Sequence, residues 1–365
     1  PFDGTLKNVR MYRKAFKLPV SKEIEKLQLE LKGLVSKTIE VPVMQESIDS
    51  RETHILIRGD YKQKGDRVFP AIPKFLPQPP PKNYMNRLDF SRWLVSNKNP
   101  LTARVTVNYL WQHLFGTGIV ATPADFGAKG EGPSSPELLD WLAVEFMQKG
   151  WDYKHLVRLV VSSDTYQQKS VGFFDSRSVF GLMPRMRLPA EQIRDQFLSA
   201  SDLLDDRIGG PSVFPLQPEG FYEERGQNTA GNSNFTWKVS GPEDRYRKSM
   251  YVYWKRMALH PSFAAFDAPT RQVCVVKRTV SNTPQQALVT LNDPMFDECS
   301  RVLAQKLSVY VKDKINEGID HAFMKCLGRI PDNEERIKFQ ALVKNDGWYS
   351  VCVVLLNLDE AVSLE

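Results

Sequence analysis

Apolar residues recur at helical spacing through most of the chain. Val107, Leu110, Trp111 and Leu114 fall at i, i+3, i+4 and i+7, and Leu138, Trp141, Leu142 and Phe146 keep to one face in the same way. Ser135-Pro136-Glu137 opens the second of these helices with a Ser cap, a Pro at the first helical position and an acid in the first turn. The pattern predicts helix through much of 86–170, including 153–163, and again over 189–204. Thr283-Pro284-Gln285-Gln286 reads as a capping box with Pro at its first helical position. Asp293-Pro294 opens another helix, Asp332 with Glu335 a third, and a last helix runs from about Gly347 to Leu358. Nearer the start, a helix begins at Ser21 with Ile24, Leu27, Leu31 and Leu34 as its stripe and ends just after Gly33.

Strand patterns are fewer. Thr5 to Tyr12 alternates imperfectly, and 39–45 and 53–58 read as strands. Ile55 and Ile57 alternate with His54 and Leu56, which predicts burial on both faces. Met250–Trp254 reads as a strand with Tyr251 and Tyr253 on one side. Pro70 to Pro81 suits neither a helix nor a central strand and is expected to be a linker or a wrapping arm. Gly127–Pro133 and 205–245 have loop composition. The expected class is α+β, predominantly α-helical with a few short β-strands.

Length and charge narrow the field. The 365 residues suffice for two domains, or one large domain with an appendage. No run approaches the ~18 apolar residues of a membrane span. Net charge is +6, yet residues 1–38 hold nine Lys/Arg against four Asp/Glu, so the other 327 residues are nearly neutral. A nucleic-acid partner is not expected without a basic face on the folded body. The first 20 residues lack the apolar stretch of a signal peptide, and the start at Pro1 leads us to expect a piece of a longer protein. Cys274, Cys299, Cys326 and Cys352 form no C-x-x-C pair; Cys352, in register with Trp348, Val351 and Leu355, is expected in the core.

Candidate chemistry concentrates in 205–256. Phe221, Tyr222, Phe235, Trp237 and Tyr246 lie among Asn, Gln and acids, including Glu223 and Asn234. Such a set suits sugar stacking and hydroxyl recognition, but aromatics bury large areas, and pinning a long loop to the core is the favoured reading. Arg245, Arg247, Lys248, Lys255 and Arg256 flank the expected strand and suit either a sulfated or carboxylated glycan or the protection of a sheet edge. Asp125, Glu131, Glu219, Glu223, Glu224, Glu243 and Asp244 supply carboxylates for a glycosidase, a reaction that needs two of them across the sugar. No metal site is expected: His54, His113, His155, His260 and His321 never fall at i, i+3 or i, i+4. Gly127 to Gly132 lacks the G-K-[ST] ending of a phosphate loop and reads as a helix–helix connection.

Longer strings carry a family likeness. Asn86-Arg87-Leu88-Asp89-Phe90-Ser91-Arg92-Trp93-Leu94, Asn99-Pro100-Leu101-Thr102-Ala103-Arg104 and Trp111-Gln112-His113-Leu114-Phe115-Gly116 are three of them. Thr122-Pro123-Ala124-Asp125-Phe126-Gly127, Arg187-Leu188-Pro189-Ala190-Glu191-Gln192-Ile193-Arg194-Asp195, Phe266-Asp267-Ala268-Pro269 and Leu355-Leu356-Asn357-Leu358-Asp359-Glu360 follow. Over about residues 40–362 the chain resembles a planctomycete domain of unknown function, family 1553. Residues 1–20 resemble the last strand of a concanavalin-like (laminin-G-like) lectin jelly roll.

The resemblance implies the C-terminal module of a large exported protein, periplasmic, cell-surface or extracellular, with cytochrome-c-like and lectin-like domains upstream. It divides the chain into a jelly-roll remnant with a linker helix (1–38) and a mainly helical domain (39–365). Any haem belongs to the upstream domains, and no cofactor is expected in this chain. The functional expectation is a non-catalytic binding or scaffold module linked to polysaccharide handling. Its rival is a glycan-active enzyme, hydrolytic or oxidative with electrons from an upstream haem domain. The family supplies no catalytic residues. Phe221, Tyr222, Glu223, Asn234, Trp237, Arg245 and Arg247 are the candidate ligand-binding residues.

Overall fold

A computed structural model describes residues 22–35, 42–45, 51–81, 85–168, 184–218, 221, 237–256, 258–311 and 314–364. The chain divides into two compact units, Pro1–Ser91 and Arg92–Glu365. Its described part is helix-rich, with two small antiparallel two-stranded sheets, which makes the class predominantly helical α+β.

In the first unit, α1 spans Lys22–Val35. The strand expected over 5–12 lies outside the described residues, and 42–45, the described part of the one expected over 39–45, carries no regular structure. Strand β1 (Thr53–Leu56) pairs antiparallel with β2 (Lys64–Val68), and the register shifts between His54 and Leu56. A 3-10 turn over Ile57–Gly59 follows, with Arg58 at φ 52. The predicted double burial fails, because Ile55 is 56% exposed and Ile57 49%. A two-stranded ribbon has no layer of its own to cover either face. The Pro-rich stretch contains neither helix nor strand, as its composition requires.

Helix α2 runs Arg87–Leu94. In the second unit, α3 (Thr102–Phe115), α4 (Pro136–Gln148) and α5 (Tyr153–Val161) pack around Val107, Leu110, Leu142, Phe146 and Leu156. The side chain of Asp152 caps α5 by accepting from the Lys154 and His155 N–H groups. Helix α4 buries Leu139, Leu142, Ala143 and Phe146, which rotates the predicted stripe by one position and leaves Trp141 54% exposed.

A second core unites α6 (Ala190–Ala200), α7 (Pro261–Ala265), α8 (Pro284–Asn292), α9 (Pro294–Val311), α10 (Ile315–Leu327) and α11 (Asn333–Asn357). The three start signals hold. Gln286 Oε1 accepts from the Thr283 N–H at 3.4 Å, Asp293 Oδ1 from the Met295 N–H at 3.0 Å, and Asp332 Oδ1 from the Glu335 N–H at 2.8 Å. Helix α11 breaks at Gly347, whose φ of 77° lies in the left-handed region that glycine enters without steric cost. The segment from Trp348 then turns Val351, Cys352 and Leu355 into the core. Strand β3 (Met186–Arg187) pairs antiparallel with β4 (Ser363–Leu364), and Asp359 binds both Arg185 and Arg187 across that junction.

The strand expected over Met250–Trp254 is absent. Ser249–Tyr251 is a 3-10 turn, and Val252 makes one parallel bridge to Val213. Among the described residues Val213 is its one ladder partner, too little for a strand to extend along.

Candidate functional site

Arginine 194 organises the region to which the sequence points. It lies on the inner side of α6 and is 1% exposed. Its Nη1 donates to the Arg247 carbonyl oxygen at 2.9 Å and to Ser249 Oγ at 3.2 Å, while Nη2 donates to the Arg245 carbonyl oxygen at 2.7 Å. The neighbouring Asp195 accepts from the Ser249 N–H at 2.8 Å and its hydroxyl at 2.7 Å. Two adjacent helix residues thus fix the backbone of 245–249, residues too polar to be held there by apolar burial.

That segment fixes the next. The Val213 N–H donates to the Tyr251 carbonyl and the Tyr253 N–H to the Val213 carbonyl, each at 2.8 Å. On the other side, the Ser240 N–H donates to the Phe214 carbonyl at 2.9 Å and the Phe214 N–H to Ser240 Oγ at 2.9 Å. Residues 213–215 are therefore held between 251–253 and 237–240. The Trp237 indole N–H donates to the Pro215 carbonyl at 3.0 Å.

A run of ring contacts crosses this arrangement. Tyr253 stacks on Phe214 at 4.9 Å, and Phe214 meets Trp237 edge-on at 5.1 Å. Trp237 then approaches His260 at 6.0 Å, His260 approaches Phe263 at 5.8 Å, and Phe263 approaches Trp254 at 5.4 Å. Tyr253, Phe214, Trp237 and Trp254 are half-buried, while His260 and Phe263 are buried. The Leu216 carbonyl can only accept, so His260 Nε2 carries the proton and donates to it at 2.9 Å; Nδ1 accepts from Ser262 Oγ at 2.8 Å. Burial lowers the His260 pKa to about 4; the hydrogen bond to Leu216 opposes this, and the charge of Arg194 adds to it. The ring is neutral at pH 7.

Electrostatics around Arg194 follow burial. Desolvation lowers its own pKa against the charge of Asp195. Desolvation also raises Asp195 and Asp293, despite the hydrogen bonds each accepts. Burial pushes the Cys299 thiol up to about 12, so this cysteine is a packing residue and not a thiolate nucleophile.

The candidate residues sort clearly. Tyr222, Glu223 and Asn234 lie outside the described residues, and Phe221 is half-buried. Trp237 belongs to the ring run. Arg245 reaches Glu298 Oε1 at 2.9 Å, an oxygen that also accepts from the Tyr246 hydroxyl. Arg247 is 4% exposed; its guanidinium donates to the carbonyls of Arg207, Gly209 and Pro211 and lies 3.9 Å over the Tyr251 ring. Arg245 and Arg247 therefore meet around Arg194, and Trp237 stands in the other group. Of the carboxylates, Glu243 and Asp244 are exposed, with Asp244 bound to Arg207, while Glu219 and Glu224 lie outside the described residues.

Sequence reasoning did not single out Arg194, His260 or Phe214. The string Arg187 to Asp195 carried the one signal for Arg194: an Arg-Asp pair in the middle of a helix, with Ile193 before it and Phe197 and Leu198 after it. Among the described residues, no group of three or more His, Cys, Asp or Glu is placed to hold a metal ion.

Comparison with known proteins gives one match. The model of a family described as "PSD1: Protein of unknown function (DUF1553)" matches residues 86–343, which contain the Arg194 hub and the ring run. No curated protein and no solved structure matches the chain. With most of its length covered by that family model, the chain belongs to the PSD1 (DUF1553) family of proteins of unknown function.

Proposed function

We propose that this chain is a glycan-binding module, non-catalytic in itself, of an exported multidomain protein that handles polysaccharide. One observation carries the reading: the half-buried shelf formed by Tyr253, Phe214 and Trp237, with ring centroids 4.9 and 5.1 Å apart. Its rings are fixed by backbone bonds on both sides and by the Trp237–Pro215 hydrogen bond, so ligand contact costs little side-chain ordering. Aromatic faces pack against the apolar C–H faces of sugars, while backbone and amide groups take the hydroxyls.

The test is retention of the purified chain on a panel of algal and cell-wall glycans, scored also for released reducing ends. We expect retention without release. Trp237→Ala weakens retention at least tenfold, and Tyr253→Leu weakens it less. Release of reducing ends would make the chain an enzyme and overturn the non-catalytic reading. Retention unchanged in Trp237→Ala would remove the shelf from the site.

A further inference from the structure

The cations of 245–256 face two ways. Arg245, Arg247 and Lys248 are committed to Glu298, to the carbonyls of 207–211 and to the Asp206 carbonyl. Arg256 and Arg271 are exposed, and neither joins an ion pair among the described residues. Both belong to one patch with Trp254. The Arg271 guanidinium lies 3.9 Å from the Trp254 ring centroid, the Trp254 N–H donates to the Pro269 carbonyl at 3.1 Å, and Gln272 Nε2 donates to the Arg256 carbonyl at 3.4 Å.

The backbone is strained to make this patch. Asp267 (φ 58) and Arg271 (φ 61) occupy the left-handed region at either side of Pro269. Neither is glycine, so the surroundings must hold them there. Asp267 is held by the Ser281 N–H at 2.8 Å and hydroxyl at 2.6 Å. Among the described residues, Arg271 is held by the indole on which it lies. A guanidinium flat on an indole keeps its N–H edge outward, the edge that pairs two-pronged with a carboxylate or sulfate.

The acid in electrostatic reach is already used. Glu191 is held by Arg278 at 2.7 and 3.1 Å; burial raises its pKa, but the Arg278 bonds and the charges of Arg278 and Arg271 outweigh this and keep it ionised. Lys255, between Trp254 and Arg256, has its ammonium pKa lowered by burial. Glu191, whose carboxylate feels the charge of Arg271, is thus already bound by Arg278, and Asp267 is turned to Ser281.

We infer that the polysaccharide is an acidic one, whose sulfate or carboxylate groups are received by Arg256 and Arg271 beside Trp254. This rests on the glycan-binding reading and narrows it to a ligand class. Trp254 stands at the opposite end of the ring run from the shelf residue Tyr253, its neighbour in sequence, so stacking and charge recognition share one scaffold.

The experiment measures binding of the full chain to λ-carrageenan (sulfated), polygalacturonate (carboxylated), laminarin (neutral) and single-stranded DNA, across a salt series. We expect at least tenfold tighter binding to one or both acidic glycans than to laminarin or DNA, weakening with salt. The preferred polymer identifies the anion as sulfate or carboxylate. Arg256→Gln/Arg271→Gln loses that preference tenfold while laminarin retention and the thermal midpoint stay unchanged. A double variant that keeps the preference overturns the inference. So does Trp237-dependent laminarin binding without an acidic preference, which leaves the glycan-binding reading intact. DNA bound as tightly as carrageenan, and lost in the same variant, replaces glycan recognition with general polyanion binding. Binding to none of the polymers overturns both readings.

Discussion

Arg194 Nη1 donates to the Arg247 carbonyl oxygen across 2.9 Å, so one buried arginine holds the backbone of another. Arg247 in turn spends its guanidinium on the carbonyls of residues 207, 209 and 211. The two form a relay from α6 through 245–249 to 207–211, and the shelf stands at its outer end. Polar groups this deep are tolerated because most have a partner, Arg245 Nε and Arg247 Nε excepted, and the positive charge of Arg194 has Asp195 at 3.7 Å.

Arg194→Met should therefore be costly out of proportion to its volume. It strips the donors from two carbonyls and from Ser249 Oγ, deep in the core, and leaves the half-buried Asp195 without its cation. Removing one partner of such an arrangement costs about 3–5 kcal/mol. Arg194→Lys keeps the charge but cannot fork to both carbonyls, so it should recover only part of the loss. Urea unfolding of the three proteins decides the matter: a loss under about 1 kcal/mol for the Met variant would show that the relay contributes little.

Gly130→Ala should disturb the Thr122–Glu131 loop while leaving the helices intact. A Cβ at this position would sit 2.0 Å from the Asp125 carbonyl oxygen and 2.9 Å from Thr122 Oγ1. Those atoms cannot swing away freely. The Thr122 hydroxyl donates to the Asp125 carbonyl at 2.9 Å and accepts from the Glu131 N–H at 2.9 Å. Overpacking of this kind costs about 1–3 kcal/mol. Gly132, with nothing within 4 Å of its position, supplies the control. Amide hydrogen exchange at Gly127 and Glu131 should accelerate in Gly130→Ala and not in Gly132→Ala. Equal exchange in both would mean the loop absorbs the methyl group.

The helix starts were legible because their signals are local. Ser135-Pro136, Thr283 with Gln286, Asp332 with Glu335, and Gly347 each act within one turn of the chain, and each lies at the boundary it predicts. Burial was legible only to within a residue: Leu139 replaces Leu138 on the inner face of α4 because the packing of α3 and α5, not periodicity alone, sets the rotation. The Met250–Trp254 alternation misleads for a related reason. Tyr251 and Tyr253 look like strand residues, yet one lies under Arg247 and the other on Phe214, contacts made 4 and 39 positions away. The Arg194 relay was out of reach, since its bonds join residues 51 to 55 positions apart and no local pattern announces a buried arginine. Trp237 was singled out by composition, and its neighbours Phe214 and His260 became visible only in three dimensions.

His260 should make the second unit sensitive to mild acid. The ring is 4% exposed, and its pKa is lowered from 6.5 to about 4 in the folded chain. The unfolded chain therefore binds the extra proton between those values, and stability is full above pH ~6.5 and lost as pH falls toward 4. A shift of this size corresponds to about 3 kcal/mol at the low end of the window. Asp195 and Asp293 act in the opposite sense: their folded pKa values are raised, so they gain stability relative to the unfolded chain as pH falls. The contribution of His260 is thus read as a difference from His260→Gln, whose amide can still donate to the Leu216 carbonyl. Between pH 7 and 4 the wild type should lose about 3 kcal/mol more than the variant in urea unfolding. An independent reading comes from the His260 ring proton in a nuclear magnetic resonance titration, which should stay at its neutral position down to pH 5. Parallel stability curves, together with a ring that titrates near 6.5, would mean that His260 is open to water and that the 213–217 segment is not closed over it.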